Sequence, residues 1–235
     1  MNKLATASCL LFIQLSLLSK YAPVAYSTMR VGLPGRRYGN GYRCPSCIEP
    51  GQTTQILVIP QNALLLTSKE SPVLLFYLPR LNGTKVIELE IVDETSNEVT
   101  RLTTRSNGKS GIVLLDLAAL DDPVKLENNG MYSWYLSILC QVGHQEKKIS
   151  AHGNIQYQAD RRGDSAPILS EPSLSRVEYF YDLGLWSDAL SDIAMLQLQN
   201  LEDIAMQNIW QELLAEESLS LLTNEELFSL DFAPL

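Results

Sequence analysis

The sequence is poor in the residues from which metal and nucleophile sites are built. Its 235 residues include two histidines and four cysteines, one of which, Cys9, lies close to the N-terminus. Neither a Gly-x-Ser-x-Gly motif nor a glycine-rich phosphate-binding loop is present. These absences count against the serine-hydrolase and nucleotide-hydrolase classes.

Basic charge is also scarce. The chain has 18 Lys and Arg against 27 Asp and Glu, a net charge of −9. The imbalance is concentrated in residues 171–235, which hold 13 acids and a single base, Arg176. Because nucleic-acid binding needs a basic face, we expect no nucleic-acid partner. The abrupt change in charge predicts a domain boundary near 165–172.

The N-terminus carries the signature of an export signal. A positive start at Lys3 is followed by an apolar run over 4–18 and by the small-x-small pattern that ends at Ser27. The run is shorter than the roughly 20 residues of a membrane span. We therefore expect residues 1–27 to be a signal peptide cleaved near Ser27, although a retained anchor is the alternative. The predicted location is periplasmic or extracellular, with membrane contact only during export.

Residues 28–52 are rich in glycine, proline and arginine. This composition favours a loop, and we expect a flexible, exposed N-terminal arm. The alternative is that its arginines (Arg30, Arg36, Arg37 and Arg43) grip phosphate or the acidic C-terminal half.

Between residues 53 and 160 the signals are those of β-strands separated by tight turns. The predicted strands are Gln55–Ile59, Val73–Leu78, Lys85–Val92, Glu98–Thr104, Ile112–Leu117, Tyr132–Gln141 and Lys148–Gln158. Asn128-x-Gly130-x-Tyr132 before an apolar strand is similar to the corner tyrosine of immunoglobulin-like domains. The pattern predicts an immunoglobulin-like antiparallel β-sandwich.

From 170 to 235 the apolar period becomes helical. We expect N-caps at Ser170, Ser187 and Asn200, a helix end at Gly184, and a short last helix from Thr223. The Gly184–Ile193 spacing is similar to a tetratricopeptide-type hairpin. The predicted fold is therefore α+β, a sandwich followed by a small acidic helical segment.

The cysteines outside the signal leave two kinds of site open. In an exported chain we favour a disulfide that joins Cys44 or Cys47 to Cys140. The alternative is a zinc site made by Cys44, Cys47, Cys140 and His144. A thiol oxidoreductase that uses Cys44 and Cys47 lacks the strand–helix context of such enzymes.

The acidic residues Glu88, Glu90, Asp93 and Glu94 lie on one predicted strand and its turn. Paired carboxylates hydrolyse glycosides, so a glycan hydrolase is a further alternative. The simpler explanation is a strand in which acidic residues on the solvent side alternate with apolar residues on the other side.

Four motifs occur together in this order. They are Gly32-Leu33-Pro34-Gly35-Arg36-Arg37-x-Gly39-x-Gly41-x-Arg43, Phe76-Tyr77-Leu78-Pro79, Trp134-Tyr135-x-Ser137-x-x-Cys140 and Gly184-Leu185-Trp186-x-Asp188-Ala189-Leu190. The ordered set resembles the Domain of Unknown Function 928 family of cyanobacterial exported proteins. The resemblance implies an exported protein with no assigned reaction, encoded near membrane sensors with CHASE-type or caspase-like domains. It supplies no catalytic residue.

We therefore expect a non-enzymatic interaction or accessory module of the periplasm or cell envelope, without a cofactor, whose partner is another envelope protein. The alternatives are an envelope enzyme, either a thiol oxidoreductase or a glycan hydrolase, and a zinc-stabilised sensor domain.

Overall fold

Ten strands and three helices occupy the residues that the computed structural model describes, which are 36–39, 47–159, 171–200 and 203–235. The predicted signal peptide with Ser27, and Cys44, lie outside these ranges. The strands are β1 (Ile56–Leu57), β2 (Leu64–Thr67), β3 (Val73–Leu78), β4 (Val86–Asp93), β5 (Glu98–Arg105), β6 (Gly111–Asp116), β7 (Met131–Val142), β8 (Gln145–Tyr157), β9 (Leu227–Ser229) and β10 (Ala233–Pro234). The helices are α1 (Leu174–Asp182), α2 (Trp186–Gln199) and α3 (Ile204–Glu216).

The strands form two sheets, and this mixed content confirms the coarse prediction of strands followed by helices. The four-stranded sheet has the order β1-β3-β6-β9, and the six-stranded sheet has the order β10-β5-β4-β7-β8-β2. All seven predicted strands are present, and β2, β9 and β10 are additional. The prediction of wholly antiparallel sheets is wrong, since β2 runs parallel to β8 and β6 runs parallel to β9. Only hairpin-linked neighbours must be antiparallel, and these two pairs are not hairpins.

The four-stranded sheet lies between the other sheet and the helices. Its strand β3 is buried at all six positions. Alternate residues Leu74, Phe76 and Leu78 pack in a core shared with the six-stranded sheet. The intervening residues Val73, Leu75 and Tyr77 pack in a second core with the helices. Burial on both faces explains why β3 is a continuous apolar run without alternation.

The six-stranded sheet has one covered face and one open face. In β7, Trp134, Leu136 and Ile138 are fully buried toward the shared core, whereas Tyr135 between them is exposed. No described helix or strand lies over this open side, which we call the outer face. It is formed by Glu88, Glu90, Arg101, Thr103, Tyr135, Ser137, Ser150 and His152, together with their neighbours on the same side.

Residues 36–39 connect the two sheets, so the expectation of a flexible arm is wrong for this part of 28–52. The backbone N–H of His152 in β8 donates to the carbonyl of Arg36, and the N–H of Leu57 in β1 donates to the carbonyl of Arg37. The Arg37 side chain is buried and donates to the carbonyls of Ile59, at 2.9 Å, and Glu217, at 3.0 Å. An arginine therefore does grip the C-terminal half, but through a backbone carbonyl instead of an acid.

The C-terminal segment closes the opposite side of the sheets, and the helix predicted from Thr223 is wrong. A 3-10 turn at Ser220–Leu222 is followed by β9, which pairs with β6, and by β10, which pairs with β5 of the other sheet. Phe228 and Phe232 are buried in the shared core. The free energy gained by this burial outweighs the local preference of the segment for a helix.

The helices begin near the predicted caps but not at them. Ser173 caps α1, and the predicted cap Ser170 lies outside the described residues. Asp203, and not Asn200, caps α3 by accepting hydrogen bonds from Ala205 and Met206. Helix α2 begins at Trp186, one residue before the predicted cap Ser187. Gly184 has φ +69° after α1, a conformation that glycine adopts without strain. Among the described residues no helix combines the length and apolar character needed to cross a bilayer.

Candidate functional site

Two of the three candidate cysteines are joined to each other. A disulfide links Cys47 to Cys140, whose Cα atoms lie 5.9 Å apart at a sequence separation of 93. Both side chains are almost completely buried. The backbone around Cys47 also pairs with residues 80–82, because Asn82 donates to the Cys47 carbonyl at 2.8 Å. The bridge thus ties the segment before β1 to β7, as one of the expected long-range pairings does.

The zinc alternative loses two ligands to this bond. Zinc binds cysteine as a thiolate, and the sulfurs of Cys47 and Cys140 are bonded to each other. His144 is exposed in the turn between β7 and β8. In the described ranges, no three His, Cys, Asp or Glu side chains come together as a set able to hold a metal ion. Because Cys47 is bonded to Cys140, it is not bonded to Cys44 as a redox-active Cys44–Cys47 pair would require.

Two acids of β4, Glu88 and Glu90, are paired with cations from β8 and β5. Glu88 accepts a hydrogen bond from Lys148 Nζ at 2.7 Å, and Glu90 accepts one from Arg101 Nη2 at 2.6 Å. The negative charge of Glu90 raises the pKa of Arg101 above its usual value. Because each carboxylate already binds a cation, this strand presents no pair of free acids arranged for general acid and base work.

Asp93 holds the turn that follows β4. Its carboxylate accepts hydrogen bonds from Thr95 and Asn97, which lower the pKa of Asp93 below its usual value. Glu94 is exposed in the same turn. This carboxylate is a structural cap for the turn.

The centre of the outer face is an aromatic pair surrounded by polar pairs. The rings of Tyr135 and His152 stack with centroids 5.6 Å apart, and 37% of Tyr135 is exposed. In the next row the hydroxyls of Ser137 and Ser150 lie 2.8 Å apart. The register places Arg36 beside His152 on the same side of the sheet. The outer face therefore presents an exposed aromatic ring on a rigid, polar surface.

A buried polar cluster fastens the helices to the strands, and sequence reasoning missed it. Asp188 in α2 accepts hydrogen bonds from the Thr67 hydroxyl at 2.7 Å, from the Ser68 N–H at 2.8 Å and from the Ser68 hydroxyl at 2.9 Å. One turn later, Asp192 accepts from Lys69 and from Arg176 of α1. The signal in the sequence was two acids at i and i+4 within the most apolar stretch of α2.

A cleft of about 550 Å³ lies along the edge of β5 that faces away from β4, beside residues 122–125. Strand β10 covers part of this edge, and the register between β4 and β5 shifts just beyond it. A short covering strand and a bulge both protect an edge from pairing with another chain. The cleft contains none of the predicted site residues.

The comparisons with known proteins give one match. The family model named Domain of Unknown Function (DUF928) matches residues 35–227, from just before the 36–39 segment to the first residue of β9. No curated protein and no solved structure matches the chain.

Proposed function

The chain belongs to the Domain of Unknown Function (DUF928) family, and from this premise we propose that it is an exported, non-enzymatic accessory module of the periplasm or cell envelope. Its partner in this proposal is another envelope protein, which binds the outer face of the six-stranded sheet.

The observation that carries the proposal is the exposure of Tyr135. Its neighbours in the same motif, Trp134 and Cys140, are buried and stabilise the fold. Tyr135 instead holds its ring at the surface, oriented by the stack with His152. Rigid, exposed aromatic side chains are the anchors that contribute most of the binding energy in protein interfaces.

Charge on the outer face indicates the chemistry of the partner. In the ion pairs Lys148–Glu88 and Arg101–Glu90, the charge of each base is neutralised by the acid that it contacts. Arg36 and Arg105 add exposed positive charge to this face, and Glu98 and Glu146 add negative charge. The complementary partner is therefore a protein surface that carries charges of both signs around an apolar pocket for Tyr135.

Two observations favour a non-enzymatic role over the enzyme alternatives. A glycan hydrolase would need free strand carboxylates, whereas Glu88 and Glu90 each bind a cation. A thiol oxidoreductase would need an accessible cysteine pair, whereas the Cys47–Cys140 bridge is buried. A buried disulfide also suits export, because such bonds persist in oxidising compartments.

The finer description of the fold belongs to the same proposal. The Glu127 N–H donates to the Tyr132 hydroxyl at 2.8 Å, as in the corner of immunoglobulin-like domains, and this contact supports kinship with them. The α1–Gly184–α2 hairpin, in which the buried Ala189 lets helices approach closely, supports the tetratricopeptide-like description.

Site-specific cross-linking in the full-length chain tests the partner. A photoreactive amino acid replaces Tyr135 in one variant and Tyr181, a tyrosine of α1 that is 47% exposed, in the control. We expect one protein to be cross-linked only from position 135. The purified partner should then bind wild-type protein at least about tenfold more tightly than Tyr135→Ala. Equal cross-linking from both positions, or equal affinities, would contradict the proposal.

A further inference from the structure

Three Asn-Gly dipeptides occur in turns of the described part of the chain, at Asn82-Gly83, Asn107-Gly108 and Asn129-Gly130. A fourth, Asn40-Gly41, lies outside the described residues. In such a dipeptide the backbone nitrogen of the glycine can attack the asparagine amide, because glycine has no side chain to hinder the approach. The three turns differ in their hydrogen bonds, so the structure predicts that their asparagines differ in reactivity.

Asn107 lies in the exposed loop between β5 and β6, and its side chain is folded over the peptide bond that follows it. Its Oδ1 accepts a hydrogen bond from the Lys109 N–H at 3.0 Å, which closes an Asx turn. This turn holds the Asn107 Cγ beside the nitrogen of Gly108. The Gly108 N–H donates to no acceptor among the described residues, and the space around this glycine is open. The nitrogen is therefore available for attack.

The same hydrogen bond favours the reaction electrostatically. When the Gly108 nitrogen bonds to Cγ of Asn107, negative charge develops on Oδ1. The Lys109 N–H already points at this oxygen, so it stabilises the charge as the donors of an oxyanion hole do.

The other two asparagines are held in less reactive arrangements. The Gly130 N–H donates to the Glu127 carbonyl at 2.9 Å, so the nitrogen that would attack Asn129 is already engaged. The Asn82 Nδ2 donates to the Ile48 carbonyl at 3.4 Å, which tethers the amide of that side chain. Asn107 alone among the three combines an unengaged nitrogen with a polarised amide carbonyl.

We propose that Asn107 is a site of spontaneous covalent modification, with the Gly108 nitrogen as nucleophile. This nitrogen gives its proton to hydroxide and forms a bond to Cγ. The bond from Cγ to the side-chain nitrogen breaks, and that nitrogen takes a proton from water and leaves as ammonia. Water then opens the cyclic imide at either carbonyl, which leaves aspartate or isoaspartate at position 107.

The product places a new negative charge two residues from Lys109. Lys109 Nζ lies 2.7 Å from Glu226 Oε1, and Glu226 directly precedes β9. The new carboxylate competes with Glu226 for this cation, so the modification loosens a contact between the β5–β6 loop and the chain that enters β9. The site goes beyond the proposed function, because protein binding on the outer face does not require it.

Peptide mapping by mass spectrometry tests this proposal on the full chain, incubated in its folded state at mildly alkaline pH. We expect Asn107 to lose ammonia at least about tenfold faster than Asn129. Asn107→Gln should abolish the reaction in this peptide, because the longer side chain must close a larger ring. The control Asn129→Gln should leave the rate at Asn107 unchanged. In urea, which removes both turns, the two asparagines should react at similar rates.

Three results would overturn the proposal. The first is an equal rate at Asn107 and Asn129 in the folded protein, which means that the turns do not set reactivity. The second is the same ratio of rates in the folded and the urea-unfolded chain, which assigns the difference to neighbouring sequence. The third is an Asn107 that reacts in urea but not in the folded protein, which means that the Asx turn protects the amide.

Discussion

The carboxylate of Asp188 receives three hydrogen bonds from two consecutive residues, Thr67 and Ser68, and it is 2% exposed. These bonds link α2 to the end of β2. Asp188 belongs to the sequence motif that begins at Gly184. Its hydrogen bonds to Thr67 and Ser68, which we call the α2–β2 joint, give this residue a structural role in the motif. The same joint explains why β2, a strand that the sequence did not predict, is held in place.

We predict that Asp188→Asn destabilises the protein by about 2–4 kcal/mol. The amide nitrogen of asparagine donates and does not accept, so at least one of the three donors on Thr67 and Ser68 loses its acceptor. Urea unfolding measures the effect, and Asp182→Asn, on the exposed side of α1, is the matched control. A loss below about 0.5 kcal/mol at position 188 would mean that the joint contributes little.

Asp93 gives the turn after β4 a dependence on pH. Because hydrogen bonds from Thr95 and Asn97 lower the pKa of Asp93 in the folded state, their stabilisation is complete above the ordinary value of 3.8 and is lost as the pH falls through the lower, folded pKa. We predict that Thr95→Ala raises the pKa of Asp93, as measured by carboxyl chemical-shift titration. An unchanged titration would show that Thr95 does not hold the carboxylate in solution.

At the scale of elements, two short segments decide how the sheets are held together. Residues 36–39 join β8 to β1 on one side, and the segment from β9 to β10 joins β6 to β5 on the other. Arg37 adds a contact from the first of these segments to Glu217, just after α3. Adjacent arginines in this segment therefore have different roles, one structural and one exposed.

We predict that substitutions at these adjacent positions differ strongly in their effect on stability. Arg37→Ala should lower the free energy of unfolding by about 2–3 kcal/mol, because the carbonyls of Ile59 and Glu217 lose a charged donor. Arg36→Ala should change it by less than about 0.5 kcal/mol, because that side chain is exposed. Thermal and urea unfolding measure both. Equal losses at the two positions would show that the hydrogen bonds of the Arg37 side chain do not stabilise the fold.

At the scale of the whole molecule, the Cys47–Cys140 bridge is the longest covalent constraint among the described residues. It closes a loop over a separation of 93 residues, for which the chain-entropy model gives at most about 4.6 kcal/mol. Both cysteines lie in the shared core, and the bond holds the segment that precedes β1 against β7.

We predict that Cys140→Ser destabilises the protein by about 2–5 kcal/mol. The matched control is Cys44→Ser, which removes the cysteine three residues before Cys47. This variant should keep the stability of the wild-type protein under oxidising conditions. Unfolding curves with and without reductant measure both variants. If Cys44→Ser is as destabilising as Cys140→Ser, Cys44 takes part in the bridge in solution.

Local pattern was sufficient for most strands. In β4 and β7 the alternation of apolar and polar residues predicted which side faces the core, because a strand repeats every two residues. Three of the four predicted helices are present near their expected positions, with caps two or three residues from the predicted ones, whereas the fourth, from Thr223, is wrong.

What the sequence by itself determined is the type of each long element, since periodicity is a property of neighbouring residues. Tertiary structure decided the parallel pairing of β2 and β9, the burial of Arg37, the choice of Cys47 as partner of Cys140, and the strand conformation after Thr223. Each of these depends on a contact with residues far away in the chain. Burial in a core shared by distant segments outweighs the weaker local preference that the sequence displays.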